Sequence, residues 1–494
     1  MRGGAVEPSV MMSATRLFRR GRIAHVATAA ACAVAALTAV PAGAAGHGAA
    51  WRITTLPVGA SYSEPGLAAG PHRTLLANAC TANAGGPATY WRSSDDGRSW
   101  SRGFTIGTSA IGCGDADTAM GSDGWSYALV LGTGVDVYRS RDGKRWSGPA
   151  SLPPPHGEDQ PDRPWLVTVP QHPNVVYLFN SEIGGNVVVW TSTDHAATFT
   201  GPTLVTGGPN SQAALAIGSR PLVDPLRPTR LRMFYETAGF AAVASSVGSS
   251  GPTQFPFAQL WQASSSDGGR SWTNSLVVDV TTTFGQSSGS LGHLLPATAV
   301  DRNGTVYVVL SVQLGNSSET HLYLLHSTRN GGWTTPVRVD RAGASNVYPA
   351  VAVWGPGRLF VSWYGSDAAS FADGSARWHE YVASSANALG SHPRFDTRTL
   401  GPVVHVGAIE QAGAVGNDFG EDWSLRDFQS VTVDGCGRPH VIWAVDYPKA
   451  GRVLTAMTSA GCWRKWTCRR PPRRACRSGR RLPRHLTVSP SGRP

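Results

Sequence analysis

Charged and hydrogen-bonding residues recur at the starts of a series of similar strand pairs: Glu64, Asp115 with Asp117, Asp162 with Arg163, Arg220, His293, Tyr348, and Arg426 with Asp427. Arg163, Arg220 and Arg426 would offer planar forks that grip a carboxylate bidentately, while Glu64, Asp162 and Asp427 would accept from sugar hydroxyls. Glu182, Tyr235 and Glu236 end the strands that follow. Such a ring suits an anionic or polyhydroxylated ligand; the alternative is that its charges pair with one another and close the funnel. Asp115 and Asp117 could also face a calcium ion, but two carboxylates fall short of the about six to eight oxygens it takes. No cofactor is expected. No P-loop, H-E-x-x-H helix or C-x-x-C pair occurs, which disfavours nucleotide, dinucleotide and zinc enzymes.

The elements that would hold these residues repeat along the chain. Seven segments read as two strands joined by a Gly, Pro or Asp turn: Glu64 to Ala77, Asp115 to Leu129, Asp162 to Phe179, Arg220 to Tyr235, Leu295 to Leu310, Tyr348 to Trp363, and Phe428 to Trp443. Apolar alternation and β-branched enrichment mark each as a hairpin. After most of them comes a second repeat. Ser93-Ser94-Asp95-Asp96-Gly97-Arg98-Ser99-Trp100 and Ser265-Ser266-Asp267-Gly268-Gly269-Arg270-Ser271-Trp272 both read S-x-D-x-G-x-S-W. Ser140 to Trp146, Ser192 to Phe199 and Ser327 to Trp333 are weaker copies, and the stretch after Tyr381 has lost the Asp and Trp. The spacing suits a hairpin connection: the carboxylate bonds backbone N–H groups across the turn, Gly supplies positive φ, and Trp packs under the sheet.

A hairpin, a third strand, the turn and a fourth strand make one propeller blade. The expected fold is therefore all-β, a single β-propeller of four-stranded blades, seven in number with six as the alternative. The seventh blade lacks a fourth strand after Val453 to Ser459; Trp51 to Leu56, near the mature N-terminus, would supply it and leave no open edge.

The S-x-D-x-G-x-S-W turns resemble the Asp box, or bacterial neuraminidase repeat, of sialidases and several other propeller families. In those families the box is structural and lies on the face opposite the active site, so its aspartates are assigned no chemistry. The resemblance implies a secreted exo-α-sialidase-like glycoside hydrolase that holds a sugar carboxylate with three Arg, attacks with a Tyr activated by Glu, and protonates with an Asp. Carried to rim positions of this sequence, Arg163, Arg220 and Arg426 would form the clamp, Tyr348 the nucleophile, Glu236 its base and Asp115 the acid. The chain departs from that family at three points. Tyr62-Ser63-Glu64-Pro65 puts Ser63 where the first Arg of a Phe/Tyr-Arg-Ile-Pro motif belongs, residues 74–91 contain no Asp for the usual acid, and seven blades replace six. A non-catalytic carbohydrate- or protein-binding propeller thus stays open as an alternative. A neutral-polysaccharide hydrolase is a third, resembling seven-bladed xyloglucan-degrading enzymes, which pair two propellers where this chain has one.

The 494-residue chain carries a net charge of +11, but the charge is at its ends. Residues 463–494 hold eleven Lys and Arg and no acid, and residues 1–44 hold five Arg against one Glu; the core, 45–462, holds 27 basic and 31 acidic residues. No nucleic-acid groove is expected on it. Residues 1–44 read as a signal peptide: Arg16 to Arg22 is basic, Val26 to Val40 apolar, and Ala42-Gly43-Ala44 a cleavage site before Ala45. Export of a monomer with no transmembrane segment is expected, acting on or binding extracellular glycan or glycoprotein. The basic tail 463–494 is expected to be disordered and able to touch an anionic cell surface. Six Cys remain after cleavage, an even number for an oxidising compartment. Their places in the blades put Cys80 with Cys113 and Cys436 with Cys462, leaving Cys468 and Cys476 for the tail.

Overall fold

The computed structural model describes residues 50–458 apart from 58–61, 82–87, 107–114, 133, 155–160, 183–185, 207–217, 238–256, 410–423, 426–427 and 449–451. The expected signal peptide and basic tail, Arg426, Asp427, Cys113 and Cys462 lie outside these residues, as do the side chains of Glu182 and His293. Twenty-eight strands form seven four-stranded antiparallel sheets. The inner strands are Tyr62–Ala69, Asp117–Met120, Pro161–Thr168, Leu222–Asp224, Gly289–Val300, Ser345–Gly355 and Ser430–Val433. They define blades 1 to 7 in chain order and match the seven hairpins legible in the sequence. Among the described residues one short helix, Val280–Phe284, is capped by Asp279, whose side chain accepts from Thr282 N. Among the described residues no helix is long and apolar enough to cross a membrane.

Second strands are apolar because a neighbouring blade covers each face. Ser126–Leu131 and Pro439–Val445 are buried throughout, whereas the outer strand Ser147–Leu152 is mostly exposed. The ring closes as expected. Trp51–Thr55 pairs antiparallel with the third strand of blade 7, from Trp51 opposite Thr458 to Thr55 opposite Leu454. Across the same seam Ile442 and Val453 of blade 7 pack with Leu67, Leu75, Ala77 and Trp91 of blade 1. Main-chain bonds and an apolar seam thus replace what would have been two sheet edges.

The S-x-D-x-G turns join third and fourth strands. Ser93 Oγ donates to Asp95 Oδ1 at 2.8 Å, Gly97 N donates to Ser93 Oγ at 2.8 Å, and Ser99 donates to Asp95 through both N and Oγ at 2.9 and 2.6 Å. Ser265, Asp267, Gly269 and Ser271 repeat the pattern. In blade 3 Ala196 takes the glycine's left-handed conformation at φ 58°, a strain its neighbours impose. Blade 6 keeps more of the turn than its sequence suggests. Asn387 stands two residues after Ser385 as Asp95 does after Ser93, its N–H donates to Ser385 Oγ, and it accepts from Arg394 N, while Phe395 is buried in place of Trp. An amide can accept the same backbone bonds as a carboxylate.

Burial works against the Asp95 charge, yet the bonds from Ser99, Ser93 and Arg98 hold its carboxyl below the ordinary value. The stability it contributes is therefore present above the ordinary aspartate range and lost as pH falls through the lowered value. Asp95→Ala is expected to lower the thermal midpoint by about 1–2 °C at neutral pH and to lessen the acid sensitivity of unfolding, read by calorimetry from pH 3 to 7.

Candidate functional site

The inner strands converge on a central channel, and four of them bulge at the same level. Register slips between Ser63 and Gly66, Asp162 and Trp165, Gly292 and Ala297, and Val347 and Ala350. Each bulge holds a proline: Pro65, Pro164, Pro296 or Pro349. Proline cannot donate to the ladder, so the extra residue is accommodated there. The residue before it is Glu64, Arg163, Leu295 or Tyr348, and three of these are left-handed, with φ of 52°, 40° and 53° for Glu64, Arg163 and Tyr348. Such conformations turn the side chain off the strand's alternation and into the ring. This repeated X-Pro dipeptide was readable in the sequence and is the signal that locates the level of the site.

At that level the charges are largely spent on one another. Arg163 is 2% exposed, and its guanidinium carbon lies 3.8 Å from the Trp165 ring centroid and 3.7 Å from that of Phe428. Its backbone N–H donates to Asp115 at 2.7 Å, and Nη1 lies 3.4 Å from the same carboxylate. Asp117 is fully buried; it accepts from Leu166 N at 2.9 Å and, end-on, from both terminal nitrogens of Arg220. Arg163 therefore stands as a cation stacked inside the channel wall and not as an open carboxylate clamp. The oxygens of Asp115 and Asp117 offered to calcium in the sequence reading are engaged by these N–H donors, and no group of three metal-ligating side chains occurs among the described residues.

The expected nucleophile, base and acid sit on blades 6, 4 and 2. Tyr348 is 1% exposed, packs edge-on against Tyr364, and its carbonyl accepts from Gln429. Glu236 is 1% exposed and neither carboxyl oxygen has a hydrogen-bond partner, so burial pushes it well above the ordinary carboxylate range. No hydrogen bond joins Glu236 to Tyr348 or Asp115. Glu64 is buried and Asp162 half-buried at the entry of their strands. The three residues assigned to chemistry are thus not brought together.

What remains accessible is Arg220. A cavity of about 100 Å³ in the channel is lined by Arg220, Trp165, Thr298, Phe428, Gln429 and Ser430, among others. The Arg220 side chain is 35% exposed. One Nη1 hydrogen goes to Asp117 and the other to Leu166 O at 3.2 Å, and Nη2 gives one to Asp117. The side-on edge, Nε–H with the second Nη2 hydrogen, is left for a ligand. Its planar fork is stacked on Trp165 at 4.5 Å and backed by Asp117, so it is preorganised. Thr298, Gln429 and Ser430 were not singled out from the sequence. Thr298 lies just after the blade 5 bulge, and Gln429 and Ser430 at the start of the blade 7 inner strand, where the pattern reads only as inner-strand polar positions.

No protein-family model matches the sequence, and no curated protein matches it. Solved structures do resemble the fold. The BP39L lectin from Burkholderia pseudomallei has a TM-score of 0.53 at 13% identity, covering 81% of this chain and 97% of that one. A polysaccharide lyase of family PL25, an ulvan lyase bound to -[GlcA(1-4)Rha3S]-, has a TM-score of 0.51 at 10% identity, covering 81% and 95%. At these identities the likeness is one of fold. The chain is a seven-bladed β-propeller.

Proposed function

We propose that this chain is an exported propeller that binds extracellular glycans in its central channel, with the side-on fork of Arg220 taking a sugar carboxylate or a pair of hydroxyls. The observation that carries the reading is the division of the ring: Arg163 is stacked in the wall beside Asp115, and Asp117 holds one end of Arg220, while the other edge of Arg220 stays free beside Trp165. The resemblance in fold to a lectin and to a polysaccharide lyase supports a carbohydrate ligand. Export is supported by the leader-like residues 1–44 and by Cys80 and Cys436 being disulfide-bonded, for which Cys113 and Cys462 are the proposed partners. The second reading, a sialidase-like hydrolase, is favoured by the turns that resemble Asp boxes. It requires Tyr348 and Glu236 to reach substrate from positions where both are 1% exposed.

A glycan array probed with the mature protein, beside Arg220→Lys, tests the site. Lysine keeps a cation for Asp117 and loses the fork, so binding is expected to weaken about tenfold, the value of roughly one charge-assisted hydrogen bond, with little change in thermal midpoint. Equal binding by Arg220→Lys would remove the site. Turnover of a fluorogenic sialic-acid glycoside, abolished by Tyr348→Phe, would replace the binding reading with the hydrolytic one.

A further inference from the structure

A second cleft lies at the other ends of the inner strands of blades 1 and 7, where their hairpin turns meet an S-x-D-x-G turn of blade 1. It measures about 490 Å³ and is lined by Gly70 to Arg73, Asp96, Arg98, Gly435, Cys436 and Arg438. Arg438 forms its floor. It is 7% exposed, and its Nη2 lies 2.6 Å from Asp96 and 2.7 Å from Asp434. Asp434 also accepts from His440 and from the N–H groups of Cys436 and Arg438. Burial opposes its charge, but the bonds from His440 and Arg438 hold the carboxyl at about 2. Asp96 accepts from Arg73 Nε at 2.7 Å as well. The acids are thus consumed within the wall, and the groups facing out are the basic side chains. Arg73 is half-exposed, and the exposed side chains of Arg98 and His72 make no hydrogen bond or ion pair among the described residues.

The turn that presents His72 and Arg73 is strained where its counterparts are not. Thr74 N bonds Pro71 O across it, and both central residues are left-handed, with φ of 56° and 65°. Four other inner hairpins place glycine at the left-handed position: Gly124, Gly304, Gly357 and Gly437. A turn with two positive φ angles favours Asn-Gly, and side chains with Cβ are disfavoured there. Blade 1 keeps two basic side chains against that preference, and they point into a cleft already floored by a buried Arg. Met457 of blade 7's third strand pairs with His440, two residues from Arg438, and all acidic or basic charges in the sequence beyond 462 are Lys or Arg.

We propose that this cleft binds the sulfate or carboxylate groups of a polyanionic glycan, independently of the Arg220 site. A glycan is preferred to other polyanions because a walled cleft suits a sugar chain with spaced charges, and because the export reading, on which this preference rests, places the protein among such chains. Binding of a heparin hexasaccharide and of an oligogalacturonate to the full chain would be measured by calorimetry, with duplex DNA and phosphatidylglycerol vesicles beside them. Sulfated and carboxylated arms tell which anion is taken. Arg98→Ala is expected to weaken binding about tenfold. The double variant His72→Asn with Arg73→Gly is expected to weaken it further while keeping or raising the thermal midpoint, since it installs the preferred turn residues. A merely structural role for Arg73 would lower the midpoint and leave affinity alone, and would overturn the proposal. So would unchanged binding in both variants, which would assign any affinity to the tail, or tighter binding of DNA or vesicles than of either glycan. Retention of glycan binding in Arg220→Lys separates this cleft from the channel.

Discussion

Replacing Arg163 by alanine is expected to cost about 3–5 kcal/mol of folding stability, measured by denaturant titration, as breaking a buried ion pair does. The side chain fills the space between Trp165 and Phe428, which belong to blades on different sides of the channel, and neutralises Asp115 from the next blade. Removing it leaves a void between two rings and a buried carboxylate without its cation. Arg163→Met together with Asp115→Asn is expected to cost much less, because both charges go and the volume stays. The contrast matters for function. If Arg163 held a ligand carboxylate, Arg163→Ala would fold normally and lose only binding. A loss of stability that the double variant restores makes the residue part of the channel wall, and the ligand then falls to Arg220.

The blades, their number and the closing strand were legible because each rests on a local pattern repeated many times: alternation in the hairpins and the Ser, Asp and Gly of the turns. Even the degenerate turn of blade 6 obeys the chemistry once Asn387 is allowed to accept in place of Asp. The site was legible only as a level of the fold. Sequence placed Glu64, Asp115, Arg163, Arg220 and Tyr348 at the rim, and they do lie around one channel. It could not say which of them pair across it. That Arg163 stacks on Phe428 depends on contact between blades 3 and 7, some 265 residues apart, and no local pattern encodes it. Nor could it separate Arg163 from Arg220, since both precede a proline at the start of an inner strand; what separates them is the backbone, which is left-handed at Arg163 and not at Arg220. The basic cleft was missed for a related reason: His72-Arg73 reads as an ordinary polar turn until its φ angles are known.

Unfolding is also expected to become easier as pH rises above the ordinary carboxylate range, through two carboxyls whose pKa the fold raises. Glu236 and Glu380 are both buried in the second and third strands of their blades, and burial pushes both well above the ordinary carboxylate range. For Glu380 burial prevails over an opposing, lowering contribution from Gln429, whose Nε2 donates to Tyr348 O. The folded value is raised, so the stability these groups allow is fully present below the unfolded value near 4.3 and is lost as pH climbs toward the folded one. Each contributes a slope of about 1.4 kcal/mol per pH unit in that window. The turn aspartates act in the opposite sense at the acid end: hydrogen bonds from Arg145 and Lys144 hold Asp142 at about 2, and those from Thr198 and Ser192 hold Asp194 there against burial. Stability should therefore peak at mildly acidic pH. Glu236→Gln and Glu380→Gln are each expected to flatten the alkaline side. An unchanged slope in the double variant, measured as denaturation midpoint against pH, would mean that both carboxyls ionise in place, and Glu236 would then regain its candidacy as a base for Tyr348.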